Sequence, residues 1–167
     1  MKKWLLMLLS FLTVCTLALT TGCGGPKLEG KWVGMGPHFW VGHQVAAVIE
    51  INKVKDLENN YLVKLHFEGY NSGLGSTKYV WQVERDEEIP MVYSKDKQML
   101  MAQGKEKGLI LTYKDGKWTM PQIGFFGGPF VFEEYSDSVM QKVRKACQDE
   151  LKQQAGDRKV EFTDPKK

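Results

Sequence analysis

The chain has 167 residues, with 23 Lys and Arg against 20 Asp and Glu and a formal net charge of +3. Without the N-terminal pair Lys2 and Lys3, 21 basic residues face 20 acidic ones. Such a nearly neutral surface gives no electrostatic reason to expect a nucleic acid or an anionic bilayer surface as a partner. The length suits one ordinary domain with a single hydrophobic core.

The first residues are predicted to be a targeting segment. Lys2 and Lys3 precede an apolar run over 4–19, and the segment closes on Thr-Thr-Gly-Cys at Cys23. A basic head, an apolar stretch and small residues form the layout of a secretory signal peptide. The run is shorter than the ~20 residues that span a bilayer, and no cluster of charges follows it. We therefore predict a removable signal at 1–22, with a soluble secreted form or an uncleaved anchor as alternatives.

The end of this segment resembles the lipobox of bacterial lipoproteins, in which the Cys after a Gly is lipid-modified and becomes the new N-terminus. That residue here is Cys23, and 23–27 would be the lipidated Cys with a short tether. The resemblance implies that acylated Cys23 holds the protein in a bilayer of the cell envelope. Gly24 is not the Asp that resembles an inner-membrane retention signal. The expected location is the outer membrane if the host has two membranes, and otherwise the outer face of the cell membrane.

After the tether, the sequence predicts a series of antiparallel strands joined by short turns. Apolar and polar residues alternate over 45–52, 61–68 and 78–84, which is typical of half-buried strands. Further strands are predicted at 31–33, 89–93, 98–102, 108–113, 117–120 and 130–134. Asp115-Gly116 separates two of them and favours a hairpin turn with positive φ. Nothing in this order resembles a βαβ crossover, so a meander is expected.

The pattern changes to a helix near the C-terminus. Ser136 can cap a helix, and apolar residues then recur at helical spacing until Gly156 provides a stop. The apolar stripe is narrow and mostly small, so the helix is expected on the outside of the sheet. We predict one domain over 28–156 and a polar tail over 157–167, in which 160–162 could add a short edge strand.

A barrel would explain how so many strands avoid open edges, because closure pairs the first strand with the last. Gly30-Lys31-Trp32 resembles the Gly-x-Trp signature of lipocalins and related calycin barrels, and the order of meander and C-terminal helix is similar to theirs. The resemblance implies a mainly β fold, an up-and-down calycin-like barrel of about eight strands with the helix packed outside. It also implies an Arg over Trp32, for which Arg144 is the candidate. An open sandwich or curled sheet is the alternative.

Catalytic and metal-binding patterns are sparse in this sequence. His38 and His43 have no Cys or carboxylate close by, so they are a poor metal site. The Gly-rich stretch 71–77 lacks the Lys of a P-loop, and 86–88 is a charge cluster of the solvated kind. Cys147 is expected to be a small apolar residue on the helix. We predict a protein that is not an enzyme, with no catalytic residues, no metal and no cofactor.

Two turn segments are unusually aromatic, 35–43 and 123–130, and aromatic turns must pack on something or bind something. They could plug one end of the barrel, form the lid and rim of a ligand cavity, or dock another envelope protein. In the lipocalin resemblance, the loop after the Gly-x-Trp strand covers the cavity. The inward wall of that cavity would include Val63 and Phe67. The candidate ligand-binding residues are His38, Phe39, Trp40, His43, Tyr79, Trp81, Phe125 and Phe126, with Tyr79 and Trp81 in the inward wall.

The predicted function is therefore that of a lipid-anchored envelope barrel that binds a small apolar molecule. The alternative is a non-enzymatic module that docks an envelope protein, or inhibits a hydrolase, through its aromatic loops. An eight-stranded barrel can hold one small ligand or fill itself with side chains. An occluded cavity of roughly a few hundred Å³ would favour ligand binding, and a filled interior would favour docking.

Replacement of Cys23 tests the anchor. The Cys23→Ser variant should leave the membrane fraction or remain as unprocessed precursor, because Ser cannot accept the thioether-linked lipid. Fractionation of the native host with and without globomycin measures both outcomes. Membrane association that is unchanged and insensitive to globomycin would contradict lipidation at this residue.

Overall fold

A computed structural model of the protein describes residues 27–38, 42–106, 108–121 and 128–165. The predicted signal and Cys23 lie outside the described residues. The described elements, in chain order, are β1 (Gly30–Pro37), β2 (Gln44–Lys53), β3 (Asn60–Asn71), β4 (Lys78–Ser94), β5 (Met99–Ala102), a 3-10 turn (Gly104–Glu106), β6 (Ile110–Lys114), β7 (Lys117–Met120), β8 (Phe130–Glu134), α1 (Asp137–Ala155) and β9 (Glu161–Thr163). None of the helices within these ranges is both long and apolar enough to cross a membrane.

The first eight strands form a closed barrel. Each pairs antiparallel with the next one along the chain, and β8 pairs with β1 so that Trp32 lies opposite Glu134. This arrangement confirms the predicted up-and-down barrel of about eight strands. The ninth strand stands outside the barrel, where it pairs parallel with the start of β4. It confirms the short edge strand that the sequence predicts near 160–162.

The longest strand differs from its prediction. The sequence predicts separate strands at 78–84 and 89–93, but β4 runs through both. The pairing with β3 shifts next to Phe67, and Glu84 is the extra residue between Arg85, which lies opposite Phe67, and Val83. A bulge of this kind reverses the alternation of the side chains that follow it. The charged run 86–88 is therefore part of a strand, and its assignment to a solvated cluster is wrong for Glu87, which is half-buried.

Apolar side chains fill the interior of the barrel. We call this group the inner core. It comprises Trp32, Val45, Ala47, Ile49, Ile51, Tyr61, Val63, Leu65, Phe67, Ile89, Met91, Tyr93, Leu100, Ala102, Leu109, Leu111, Trp118, Met120, Phe130 and Phe132. The rings of Phe67 and Phe130 meet edge to face, with 5.6 Å between their centroids. Trp118, Phe130 and Phe132 are each 0% exposed. A side chain that borders a cavity keeps some surface open to a water-sized sphere, so these side chains leave no such space beside them.

A second apolar layer, the outer core, attaches α1 to the outside of the barrel. It comprises Val33, Ala46, Val48, Tyr70, Trp81, Met140, Cys147 and Leu151. Ala46 and Val48 point outwards under the helix, which explains why both faces of β2 are apolar. Ser136 caps the helix by accepting a hydrogen bond from Val139 N at 3.2 Å. Burial raises the pKa of Cys147 to about 12, so its thiol stays protonated in this apolar layer.

The hairpin turn between β6 and β7 offers a test of the fold. Asp115 and Gly116 have φ of 51° and 79°, as the sequence predicts for a primed turn. A β-carbon on Gly116 would meet nothing within 4 Å, so a side chain there costs backbone strain without a clash. Gly116→Val should lower the free energy of unfolding by about 1–2 kcal/mol in urea titrations.

Gly73 provides the matched control, since a β-carbon there also meets nothing within 4 Å and its φ is not in the left-handed region. Gly73→Val should leave the free energy of unfolding close to that of the wild type. Equal losses in both variants would contradict the turn assignment.

Candidate functional site

Both aromatic segments leave the barrel at the same end. The end of β1 and the beginning of β8 lie side by side, since a β-carbon on Gly36 would lie 2.7 Å from the ring of Phe130. Lys27 lies at the opposite end, where it forms an exposed ion pair with Glu134. We call the end that carries the aromatic segments the distal end. Four predicted site residues, Phe39, Trp40, Phe125 and Phe126, lie outside the described residues.

A buried carboxylate holds the distal end together. Glu84 Oε2 lies 3.1 Å from His38 Nε2, and Glu84 Oε1 accepts a hydrogen bond from Asn71 Nδ2 at 2.8 Å. The side chains of Glu84 and His38 are only 13% and 10% exposed. Both carboxylate oxygens therefore have a polar partner, as a buried charge requires. Gly69 leaves room for this group, since a β-carbon there would lie 2.9 Å from Glu84 Oε1.

A second charged pair continues this polar region. Arg85 and Glu87 lie opposite Phe67 and Leu65, whose side chains belong to the inner core. Directly opposite residues share a face of the sheet, so the charged pair faces the barrel interior. Arg85 Nε donates to Glu87 Oε1 at 2.7 Å, and both side chains are about one-third exposed. The interior is thus apolar along most of its length and charged at its distal end.

A small polar cleft lies beside the distal end. It measures about 190 Å³ and is lined by His43, Asn71, Ser72, Tyr79, Leu151 and Gln154. The end of α1 closes one side, because Glu150 Oε2 accepts from Gln44 N at 2.7 Å and Gln154 Nε2 donates to the Gly42 carbonyl at 2.9 Å. The cleft brings together two of the predicted site residues, His43 and Tyr79. Sites for drug-sized ligands are larger, at roughly 300–1,000 Å³.

Tyr79 and Trp81 do not line the interior, so that part of the predicted wall is wrong. Trp81 belongs to the outer core, where its Nε1 donates to Glu68 Oε2 at 2.6 Å. Tyr79 stacks on Phe162 of β9 at a centroid distance of 5.7 Å. The extra residue Glu84 is the physical reason, because it moves both rings to the outer face. Val63 and Phe67, the other predicted wall residues, do lie in the inner core.

The Arg implied by the lipocalin resemblance also has a different position. The Arg144 guanidinium lies 5.1 Å from the centroid of the Trp81 ring, with one nitrogen 3.8 Å from Glu68 Oε2. Trp32 instead contacts Trp118, at 6.2 Å between ring centroids. The prediction that Arg144 covers Trp32 is therefore wrong. A cation over an indole with a carboxylate at its edge is a stable arrangement that joins the helix to the barrel.

Sequence reasoning missed the charged groups of the distal end. Glu84, Arg85 and Asn71 gave no motif, and the contacts of Glu84 with Asn71 and His38 join residues of different parts of the barrel. One signal was present in the sequence. Residues 85, 87, 89, 91 and 93 occupy alternate positions, as they do when a single strand runs through all of them. Among the described residues, no group of three or more His, Cys, Asp or Glu is arranged to hold a metal ion.

Comparisons with known proteins add no relatives. No protein-family model matches the chain, and no curated protein or solved structure shows significant similarity to it.

Glu68 beneath α1 generates a prediction about pH. Burial alone would raise the pKa of Glu68, but hydrogen bonds from His66 and Trp81 and the charge of Arg144 outweigh it and hold the pKa below the ordinary 4.5. A lowered carboxylate pKa stabilises the fold above the unfolded-state pKa, and this contribution disappears as pH falls through the folded-state pKa. Urea titrations from about pH 7 to about pH 3 should show this loss in the wild type, and a smaller pH dependence in Glu68→Gln.

Glu58 is the control for this experiment, since its side chain is 81% exposed. Glu58→Gln should retain the pH dependence of the wild type. If Glu68→Gln also retained it, the carboxylate would not be the titrating group.

Proposed function

We propose that the protein is a lipid-anchored, non-enzymatic module of the bacterial cell envelope, and that its distal end docks a protein partner. The observation that carries this proposal is the filled inner core. Phe67, Phe130 and Phe132 are each no more than 1% exposed, so the part of the interior that these rings occupy offers no ready space for a ligand. A barrel of this kind presents its binding groups on its surface.

The composition of the distal end supports a protein as the occupant. Phe39, Trp40, Phe125 and Phe126 belong to segments whose flanking residues meet there. The half-buried Arg85–Glu87 pair lies at the same end. Aromatic residues surrounded by polar groups are typical of protein interfaces, where the aromatic residues provide most of the binding energy.

Binding of a small apolar molecule stays a prediction, and it has less support. Such a ligand would have to displace inner-core side chains that are already almost fully buried, or bind at the distal end alone. The cleft beside His43 is small and partly polar, which does not suit an apolar ligand.

The proposed anchor supports an outward-facing site. Cys23 to Lys27 is a tether that reaches at most ~17 Å, so the barrel would stay near the bilayer. Lys27 lies at the end opposite the aromatic segments. With acylated Cys23 in the membrane, the distal end would face the aqueous space, where a partner anchored elsewhere in the envelope could reach it.

Site-specific photocrosslinking in the native host tests the docking proposal. A photoreactive phenylalanine analogue at Trp40, or separately at Phe125, should give a crosslinked protein of the same partner from both positions. The same analogue at Leu57, an exposed side chain in the turn after β2 at the end opposite the distal end, should give no such product.

The opposite result is equally specific. If Trp40 and Phe125 gave no protein crosslink, and the purified protein bound a fluorescent fatty acid saturably at one site, docking would be rejected in favour of the small-ligand prediction.

A further inference from the structure

The barrel wall has an open edge along β4. The neighbouring strand on that side is β9 at residues 78–80 and β5 at residues 91–94. Between them, no strand of the described chain pairs with the β5-facing side of β4. The gap ends at Pro90, whose carbonyl accepts a hydrogen bond from Gln103 N at 2.9 Å.

The direction of the backbone groups follows from that last contact. Because the carbonyl of Pro90 points towards β5, the backbone groups of Glu88 and Asp86 point the same way, since alternate residues of a strand share a direction. The backbone groups of Glu87 and Arg85 point towards β3 instead, as does the N–H of Tyr93, which donates to the Asn59 carbonyl. Asp86 and Glu88 therefore present their N–H and C=O groups at the open edge.

The side chains at this edge give it a definite charge. Asp86 and Glu88 are exposed and lie on the outer face, whereas Arg85 is turned to the interior and bound to Glu87. Glu88 forms an ion pair with Lys64 at 3.5 Å, in which the side chains of Lys64 and Glu88 are 46% and 56% exposed. Such exposed pairs are readily exchanged for others. The outer face of the edge is acidic.

We propose that this edge of β4 binds a basic extended segment of the docking partner as an additional strand. Incoming residues opposite Asp86 and Glu88 would share their face, at a distance suited to ion pairs. Lys or Arg at alternate positions, in the pattern Lys-x-Lys, meets that requirement. A second copy of this chain does not meet it, because its own Asp86 and Glu88 would lie against the same acidic residues.

The inference rests on the proposed function and adds the chemistry of the partner. The chain itself shows that β4 accepts a strand on this side, because Glu161–Thr163 pairs with the first residues of β4. An ion pair accompanies this pairing, with Lys78 Nζ 3.9 Å from Glu161 Oε2. A partner strand would continue the same edge towards β5.

Amide hydrogen exchange by NMR tests the proposal on the mature chain carrying Cys23→Ser. The probes are the acetylated peptide amides of alternating Lys and Thr and, for comparison, of alternating Glu and Thr, each six residues long. The basic peptide should slow exchange of the Asp86 and Glu88 amides by about tenfold and shift their resonances saturably. The acidic peptide should do neither.

Charge reversal supplies the variants. Asp86→Lys combined with Glu88→Lys should abolish the effect of the basic peptide. Glu58→Lys combined with Glu133→Lys makes the same change in net charge at exposed residues away from this edge and should preserve the effect.

Four outcomes would overturn the proposal: amides of Asp86 and Glu88 that are already protected in the free protein, equal effects of the two peptides, loss of binding in the control variant, or dimerisation through this edge. Its failure is distinguishable from that of the proposed function. Peptide binding at β4 without crosslinks from Trp40 and Phe125 would reject the aromatic docking site, whereas crosslinks without peptide binding would reject only the strand addition.

Discussion

A single extra residue in β4 determines how the barrel and its helix fit together. On one side of Glu84, the residues Ile89 and Met91 point into the barrel; on the other side, Trp81 points out of it. The same strand therefore supplies both apolar layers. Without the bulge, Trp81 would enter an interior that other aromatic rings already fill, and α1 would lose the ring that Arg144 covers.

The bulge also explains the charges at the distal end. At Glu84 the side chains of β4 that face the barrel interior change from one alternating set to the other. The Glu84 carboxylate therefore enters a space bounded by Asn71, Gly69 and His38. Asn71 and His38 provide a polar partner for each of its oxygens, so a buried carboxylate is tolerated where the apolar core ends. The packing of the barrel end and the polar character of its surface arise from the same local feature.

Local sequence signals predicted the parts of the fold that depend on neighbours in the chain. Alternation located most of the strands, Asp115-Gly116 located a hairpin, and Ser136 located the start of the helix. The position of Trp81 could not be predicted in this way, because a bulge is defined by the partner strand. The contact between Glu84 and His38 was missed for a related reason, since only barrel closure brings these residues together. The aromatic segments could be placed at one end from topology alone.

The direction of β1 has a mechanical consequence. This strand begins three residues after Lys27, at the end opposite the distal end, and finishes at the distal end. A pull between a membrane anchor and a distal partner would act along its axis, while its hydrogen bonds to β2 and β8 run across that axis. Such a load would act on all the hydrogen bonds of β1 with its two neighbours at once, instead of breaking them one after another. The barrel would therefore resist traction along β1 more strongly than a pull across its strands.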